Sequence, residues 1–391
     1  MKKILSLALV GILGVTLVSG CGTTGGASTS SGGSGGTIKI GANLELTGGT
    51  AMFGQEAKNG ISLAFEQQNA KGGVLGKKLE LVAADNKSDA GESTAAVTKL
   101  VTQDKVVAVI GSMTSSVTLA AVPVVTDNKI PMVSPSGTNA KVTVDNGQLR
   151  PWIFRACFID PFQGKVGAKF ALNTLKAKTA AIIIDQKSDY SKGLADAFVT
   201  NFKQGGGQIT GTEQYVAGSD KDFRPILTRI KSQNPDLIWV PGYYQEVGMI
   251  VKQARELGMN QPFAGGDGWD DAKLFEIGTP AALNNTYYVD HVATAAPDMV
   301  QFVKDYQAKF GHEPNAMSAL AYDAANMIVK AIETAGSVDS SKIRDALEKL
   351  KDFKGVTGGI TIDPATHNPT KSAVIKQNKD GKTVYLTTVT P

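Results

Sequence analysis

Apolar residues along this chain form two kinds of segment, short continuous runs and longer stretches with helical spacing. Short continuous runs are typical of strands covered on both faces, and apolar residues at i, i+3, i+4 and i+7 are typical of amphipathic helices. Strands separated by helices predict right-handed βαβ units with parallel strands. One segment with the helical spacing contains Phe223, Ile226, Leu227 and Ile230.

This alternation occurs twice, and each series predicts one doubly wound α/β unit. The first series predicts strands at Thr37–Asn43, Lys78–Ala84, Val106–Ile110 and Ile130–Ser134, and helices at Gly54–Ala70, Gly91–Thr102 and Ser115–Asp127. The second predicts strands at Thr179–Ile184, Gln208–Val216, Leu237–Val240 and Pro262–Gly265, and helices at Tyr190–Gln204, Asp222–Gln233 and Glu246–Leu257. The two series meet near residues 151–160.

The last third of the chain departs from this rhythm. It predicts a strand at Tyr287–His291, then three helices in succession, then a β-rich end. The predicted helices are Met299–Phe310, Met317–Ala335 and Ser341–Lys351, and the β-like segments are Gly359–Ile362 and Ala373–Thr390.

The first 36 residues have a different pattern. Two lysines precede an apolar run from Ile4 to Val18, which is shorter than the roughly 20 residues of a spanning helix. We therefore expect a signal peptide over residues 1–20 and a flexible Gly/Ser/Thr tether over 21–36. The sequence before Cys21 resembles the lipobox of bacterial lipoproteins, which implies lipidation of Cys21. The alternative is an ordinary signal peptide with a chance cysteine, and the tether favours the anchor.

Composition narrows the class of protein. The chain has 391 residues, 42% hydrophobic and 19% charged, which suits a soluble protein of two domains. A net charge of +4 without a dense basic patch gives no argument for nucleic acid binding. Cys157 is the one cysteine besides Cys21, so the mature domain has no intramolecular disulfide. Its apolar neighbours predict a buried, unreactive thiol.

Candidate ligand contacts lie where predicted strands end, because open α/β sheets bind ligands beyond the carboxyl ends of their strands. In the first series, Gly111–Ser116 and Ser134–Asn139 are small, hydroxylated turns, and a helix begins at Ser115. Free helix amides beside hydroxyls can bind a carboxylate. Simple helix capping is the alternative function for these serines.

The strand ends of the second series carry aromatic residues and one acid. Aromatic rings with polar tips and a carboxylate suit an ammonium group and an apolar side chain. Asp267 could instead be a turn residue. Together the two series predict complementary sites for a zwitterionic α-amino acid. These second-series residues are Tyr190, Tyr243, Tyr244, Asp267 and Trp269.

These residues resemble the leucine/isoleucine/valine-type periplasmic binding proteins, the receptors of ABC importers. The resemblance covers nearly the whole mature chain and implies the type I, or Venus-flytrap, fold: two parallel-sheet lobes joined by three crossings and closing by a hinge. It implies lobe 1 at 37–156 and 287–357, and lobe 2 at 157–286 and 358–391. The segments that carry it include Ile38–Gly41, Leu46–Gly48, Asn69–Gly76, Pro131–Thr138, Arg155 with Asp160 and Gln163–Gly164, and Gly266–Gly268.

The resemblance also implies roles for individual residues. Ser115 corresponds to a serine that holds the ligand carboxylate, and Thr138, with the backbone of Ser136 and Gly137, to the second part of that site. Asp267 stands where the family places an acid on the ammonium, often Glu in branched-chain receptors. The aromatic residues implied or expected to line the pocket are Tyr190, Tyr243, Phe53 and Trp269, and plain core packing is the alternative for Phe53. Leucine, isoleucine, valine, alanine and an aromatic amino acid all remain open as ligands.

An exported hydrolase is the chief competing class. None of the three histidines lies in an HExxH arrangement or accompanies a Gly-x-Ser-x-Gly elbow, and the sequence has no Cys-x-x-Cys pair. We therefore expect a receptor rather than an enzyme, with no cofactor and no metal. Its expected partners are an amino acid and an ABC permease and ATPase, and we expect a lipid-anchored monomer outside the cytoplasm. The alternative is a sensory or amide-binding member of the same fold.

Overall fold

The structure is a computed structural model and describes residues 36–391. The predicted signal peptide, Cys21 and nearly all of the tether lie outside the described residues.

Sixteen strands are present in the described part of the chain, several of them only two or three residues long. They are β1 Ile38–Leu44, β2 Leu79–Asp85, β3 Val109–Gly111, β4 Met132–Ser134, β5 Val144–Asp145, β6 Gln148–Leu149, β7 Ile153–Arg155, β8 Thr179–Asp185, β9 Gln208–Tyr215, β10 Leu237–Trp239, β11 Phe263–Gly265, β12 Thr286–Asp290, β13 Phe353–Gly355, β14 Gly358–Ile360, β15 Ala373–Lys379 and β16 Lys382–Val389.

Eleven α-helices accompany these strands between residues 36 and 391. They are α1 Ala51–Ala70, α2 Ala90–Thr102, α3 Ser115–Asp127, α4 Asp160–Asn173, α5 Asp189–Gln204, α6 Arg224–Gln233, α7 Tyr244–Glu256, α8 Lys273–Gly278, α9 Val300–Phe310, α10 Ala316–Ala335 and α11 Ser340–Glu348. Three short 3-10 turns, at Ala140–Val142, Asp267–Trp269 and Pro297–Met299, complete the regular structure.

The first lobe is built on a five-stranded sheet in the order β2-β1-β3-β4-β7. All of its pairings are parallel, and the helices between the strands cover both faces. The inner strands β1, β3 and β4 are almost wholly buried, as the sequence pattern predicted, whereas the edge strand β2 is only partly buried. The predicted strand at 106–110 is shorter in the structure, because its regular pairing begins only at Val109.

The second lobe has a seven-stranded sheet in the order β16-β15-β12-β11-β10-β8-β9. The four pairings among β9, β8, β10, β11 and β12 are all parallel, whereas β15 pairs antiparallel with both β12 and β16. The doubly wound parallel class is confirmed for the body of each lobe, and the C-terminal hairpin extends the second sheet.

The structure moves two predicted lobe boundaries. Residues 287–290, assigned to lobe 1, lie in β12, which pairs with β11 and β15 of the second sheet. Residues 358–360, assigned to lobe 2, pair with β13 in a hairpin that contacts α10. The apolar pattern of a segment predicts a strand but not the strand with which it pairs. Both lobe boundaries were therefore placed one strand too early, before β12 and before β14. The chain passes between the lobes near 156–159, 291–299 and 361–372.

Candidate functional site

The first-lobe side of the site is the start of α3, directly after β3. The side chain of the N-cap residue, Thr114, makes no capping hydrogen bond, so it leaves the first-turn amides unsatisfied. The Ser115 hydroxyl accepts a hydrogen bond from the Asn139 amide at 3.1 Å, which joins the two predicted turns. Unsatisfied helix amides beside a buried hydroxyl form a favourable place for a carboxylate.

The second turn presents its backbone and one free hydroxyl. The Ser136 hydroxyl donates to the Met113 carbonyl at 2.7 Å, and the Gly137 amide donates to the Ser134 hydroxyl at 3.0 Å. These two residues therefore fix the turn from within the lobe. Thr138 is fully buried, and its hydroxyl has no partner among the described residues.

Arg155 supports that turn from behind. Its guanidinium is fully buried and donates to the Gly137 carbonyl at 2.7 Å and to the Asn139 carbonyl at 3.0 Å. Burial lowers the pKa of this guanidinium. It also donates to the Thr143 hydroxyl at 3.0 Å. Because all these acceptors belong to the first lobe, Arg155 sets the shape of the turn without reaching across the cleft.

Glu45, which the sequence analysis did not single out, fixes the loop before α3. Its buried carboxylate accepts hydrogen bonds from the Met113 and Thr114 amides at 3.1 and 3.0 Å and from the Thr114 hydroxyl at 2.8 Å. Burial raises its pKa against the opposing effect of these bonds. The loop is thereby held where Ser115 can begin the helix.

The second-lobe side is dominated by Asp267, which is 3% exposed. Its Oδ1 accepts a hydrogen bond from Gln163 Nε2 at 2.8 Å, and its Oδ2 accepts one from His291 Nε2 at 3.0 Å. Sequence reasoning assigned no ligand-site role to either partner. Each carboxylate oxygen can still accept another hydrogen bond, so the group can meet a cation as well.

Aromatic rings from both lobes pack between these two sides. Tyr190 and Tyr243 stack with ring centroids 5.1 Å apart and an angle of 17°. Phe53, at the start of α1 in the first lobe, meets Tyr243 edge-on at 5.9 Å. Burial raises the pKa of both tyrosines well above the ordinary value, so they stay neutral hydrogen-bonding groups.

Trp269 ends the 3-10 turn that begins with Asp267. It is fully buried in the core, where its Nε1 donates to the Val240 carbonyl at 3.0 Å and its ring lies 6.2 Å from that of Tyr288. Its side chain therefore supports the loop that carries Asp267. That Trp269 lines the ligand pocket stays a prediction, because Phe53, Tyr190 and Asp267 are buried to nearly the same degree.

Several buried polar atoms in the same region lack partners within the described residues. They are Thr138 Oγ1, both carboxylate oxygens of Asp160, Gln163 Oε1 and His291 Nδ1. Asp160 lies beside Thr138, because its amide donates to the Thr138 carbonyl at 2.9 Å. After burial, the charges of Asp267 and Asp160 further raise the pKa of Tyr190, which places both acids near that ring. Buried groups of this kind take ordered water or a polar ligand as partners.

The two lobes touch directly beside the site. The Ser116 hydroxyl of α3 donates to Asp189 Oδ2 of α5 at 2.8 Å and accepts from the Asp189 amide at 2.9 Å. The Tyr244 hydroxyl accepts from the Met52 amide at 3.3 Å. A groove of about 550 Å³ remains at the rim, lined by Ser116 and Tyr243 but by neither Ser115 nor Asp267. The lobes are therefore closed over the inner site.

The remaining features of the described residues add no competing centre. No group of three or more His, Cys, Asp or Glu residues in 36–391 has the arrangement of a metal site. Within the same range, every helix is too short or too polar to cross a bilayer. Cys157 is a free, buried thiol whose pKa burial raises to about 12.

Two sheet lobes closed over a buried polar site define a cleft-type binding protein. The family model described as a periplasmic binding protein matches residues 37–382, and the chain belongs to this extracytoplasmic family. The "Leu/Ile/Val-binding protein BraC3" of Rhizobium johnstonii is 33% identical over 348 residues, which cover 89% of this chain and 93% of that protein.

Two solved structures are similar over nearly the whole chain. A leucine-binding protein from Thermotoga maritima is 38% identical with a TM-score of 0.85, covering 90% of this chain and 99% of the other. The substrate-binding protein of a branched-chain amino acid transporter from Streptococcus pneumoniae, solved in complex with isoleucine, is 39% identical with a TM-score of 0.85 and covers 91% and 100%. The predicted family and fold are confirmed.

Proposed function

We propose that the protein binds a branched-chain or other apolar L-amino acid between its two lobes and delivers it to an ABC importer. The relatives and solved neighbours named above bind leucine, isoleucine or valine according to their descriptions. In this proposal the protein acts as a monomeric receptor, performs no chemistry on its ligand and uses no cofactor.

The observation that carries the proposal is the complementarity of the two buried sides. Uncapped amides at Ser115 and the free Thr138 hydroxyl suit a carboxylate, whereas Asp267 suits an ammonium group. A charge buried without a partner costs several kcal/mol, so a ligand bearing both charges is favoured over one bearing either alone. The rings of Phe53 and Tyr243 supply apolar surface for its side chain.

We also propose that the mature protein is held to the membrane surface by a lipid on Cys21. The support is sequence alone: a basic start, a short apolar run and a polar tether on either side of that cysteine. Metabolic labelling with a fatty acid should mark the wild type and not Cys21→Ala. Equal labelling of both proteins, or of neither, would remove the anchor from the proposal.

The amino acid site is tested by substitution on each of its sides. Asp267→Ala should weaken amino acid binding by about 2–4 kcal/mol, because the ammonium loses its charged partner. Ser115→Ala should cost about 1–2 kcal/mol, because the backbone donors of α3 remain. Isothermal titration calorimetry measures both affinities, after a thermal-shift screen of the twenty amino acids and simple amides selects the ligand.

Two outcomes count against the proposed site. Near-wild-type affinity of Asp267→Ala would show that the ammonium lies elsewhere. A screen in which only amides raise the melting temperature would favour the sensory or amide-binding alternative. A matched control, Asp222→Ala on the exposed surface of the second lobe, should bind like the wild type.

A further inference from the structure

Asp267 is held from two sides by side chains that come from outside its own loop. Gln163 belongs to α4, the first helix after the first crossing, and His291 directly follows β12 where the chain leaves the second lobe. Their nitrogens lie 2.8 and 3.0 Å from the two carboxylate oxygens. Gln163 and the His291 side chain are both 0% exposed, so water does not compete for these bonds.

The surroundings of the two donors fix which atoms face Asp267. Gln163 Nε2 also lies 3.4 Å from the Val289 carbonyl, so its amide nitrogen faces two acceptors. The His291 ring stacks on Phe158 with centroids 3.9 Å apart, which limits its rotation. A carboxylate oxygen only accepts, so the Nε2 atom of His291 carries the hydrogen.

The same residues leave acceptors unused. Gln163 Oε1 and His291 Nδ1 have no partner in the described part of the chain, and each Asp267 oxygen retains a lone pair. An α-ammonium group brings three N–H donors to such a place. We propose that Gln163 and His291 are positioning residues that hold the Asp267 carboxylate toward the ligand ammonium; this inference rests on the proposed function and names the residues that shape its acidic half.

The two donors affect affinity because an aspartate side chain that is free to change rotamer loses that freedom when a ligand binds, at a cost in free energy. A carboxylate already held in place loses less conformational freedom when the ligand arrives, and this raises affinity without a new ligand contact. The competing explanation is that Gln163 and His291 only satisfy a buried acid. Under that explanation, removing either side chain would lower the stability of the protein. Any effect of the removal on ligand affinity would be the same whether or not Asp267 is present.

The variants are chosen to remove one hydrogen bond each. His291→Phe keeps a ring against Phe158 and removes the donor, whereas His291→Gln can restore a donor near the Nε2 position. Gln163→Met removes the amide with little change of volume. With the tightest-binding of leucine, isoleucine, valine and alanine as probe, His291→Phe and Gln163→Met should each weaken binding about tenfold or more. His291→Gln should recover most of that loss.

A double-mutant cycle separates positioning from a structural role. In the Asp267→Asn background, His291→Phe and Gln163→Met should have little further effect on affinity, because the group through which they act has changed. His312→Phe, at a side chain that is 48% exposed, is the matched control and should bind like the wild type in both backgrounds.

The results that overturn the inference differ from those that overturn the proposed function. Equal losses in the wild-type and Asp267→Asn backgrounds, or wild-type affinity in both single variants, would overturn the inference alone. A wild-type protein that binds none of the four probes and no aromatic amino acid would overturn the proposed function and the inference with it. If His291→Phe does not fold, the Gln163→Met cycle decides by the same criteria.

Discussion

The pKa of Asp271, in the second lobe, is affected by a charged group of the first lobe. Its side chain is buried near Asp270 and near Glu56 of α1, and its Oδ1 accepts from the Lys273 amide at 2.8 Å. Burial raises its pKa from the ordinary 3.8 to about 7, and the negative charges of Asp270 and Glu56 act in the same direction. The folded protein therefore holds a proton on Asp271 that the unfolded chain releases at much lower pH.

This shift predicts a pH dependence of stability. A raised pKa in the folded state gives a contribution that is complete below about pH 4 and is lost as the pH rises through 7. Asp271→Asn keeps the acceptor for Lys273 and cannot ionise. The unfolding free energy should then fall by about 3 kcal/mol less between pH 5 and pH 8 than it does in the wild type, from roughly 1.4 kcal/mol for each of about two pH units.

Urea denaturation at the two pH values measures that difference. Asp222→Asn, whose side chain is 63% exposed, should leave the pH dependence unchanged. An Asp271→Asn protein with the same pH dependence as the wild type would contradict the prediction.

Among the elements, α1 and α10 approach each other more closely than a side chain allows. A Cβ placed on Gly60 would lie 2.1 Å from the Ser318 carbonyl oxygen, so the two helices meet backbone to backbone at this point. The start of α1 carries Phe53, and the contact between the helices therefore helps to fix one wall of the site.

Gly60→Ala should destabilise the protein despite the better helix propensity of alanine. Propensity alone would favour alanine by about 1 kcal/mol, whereas forcing the helices apart costs about 1–3 kcal/mol. Urea unfolding should show a net loss of stability. Gly359→Ala, where no heavy atom lies within 4 Å, is the control and should change little. A stabilised Gly60→Ala protein would show that the helices can separate freely.

Most helices and strands could be predicted from the sequence because they depend on the spacing of apolar residues within the segment itself. The periodic apolar residues placed α3 at Ser115–Asp127, and the structure has the same bounds. The pattern at 287–291 correctly predicted a strand but gave no information about its sheet, because pairing with β11 and β15 depends on residues far along the chain. Short buried strands such as β3 carry too few residues for their ends to be read.

The residues of the site also divide into those marked by local sequence and those that depend on distant partners. Ser115, Thr138 and Asp267 lie at strand ends, which the order of elements reveals. Gln163 and Glu45 act through partners 104 and 69 residues away, so nothing in their local sequence marks them. The contacts of Trp269 could not be predicted, because a single residue in a 3-10 turn can face either the cleft or the core.

At the scale of the whole molecule, closure is held in part by protein contacts that do not involve a ligand. The paired hydrogen bonds between Ser116 and Asp189 join the first turns of α3 and α5, and the Asn139 side chain donates to the Asp189 carbonyl at 2.7 Å. Contacts of this kind exist only when the lobes meet. They therefore bias the equilibrium between open and closed forms and add to the affinity for any ligand that needs the closed form.

Ser116→Ala should weaken that bias. The variant cannot form the two hydrogen bonds that Ser116 makes when the lobes close. Its affinity for the amino acid should therefore fall about three- to tenfold, while its unfolding free energy changes little. Calorimetry gives the affinity, and small-angle X-ray scattering of the ligand-free protein should show a larger radius of gyration. Ser232→Ala, which removes a bond within the exposed helix α6, is the control. Unchanged affinity and scattering in Ser116→Ala would contradict a role in closure.

The burial of Cys157 has a practical consequence. A thiol that is wholly enclosed and hard to ionise does not react with maleimide dyes under mild conditions. In a chain beginning at Gly36, a cysteine introduced for Lys187 on the rim groove would thus be the sole reactive thiol. An environment-sensitive fluorophore there would convert closing of the lobes into an optical signal, which makes this scaffold suitable for a reagentless sensor.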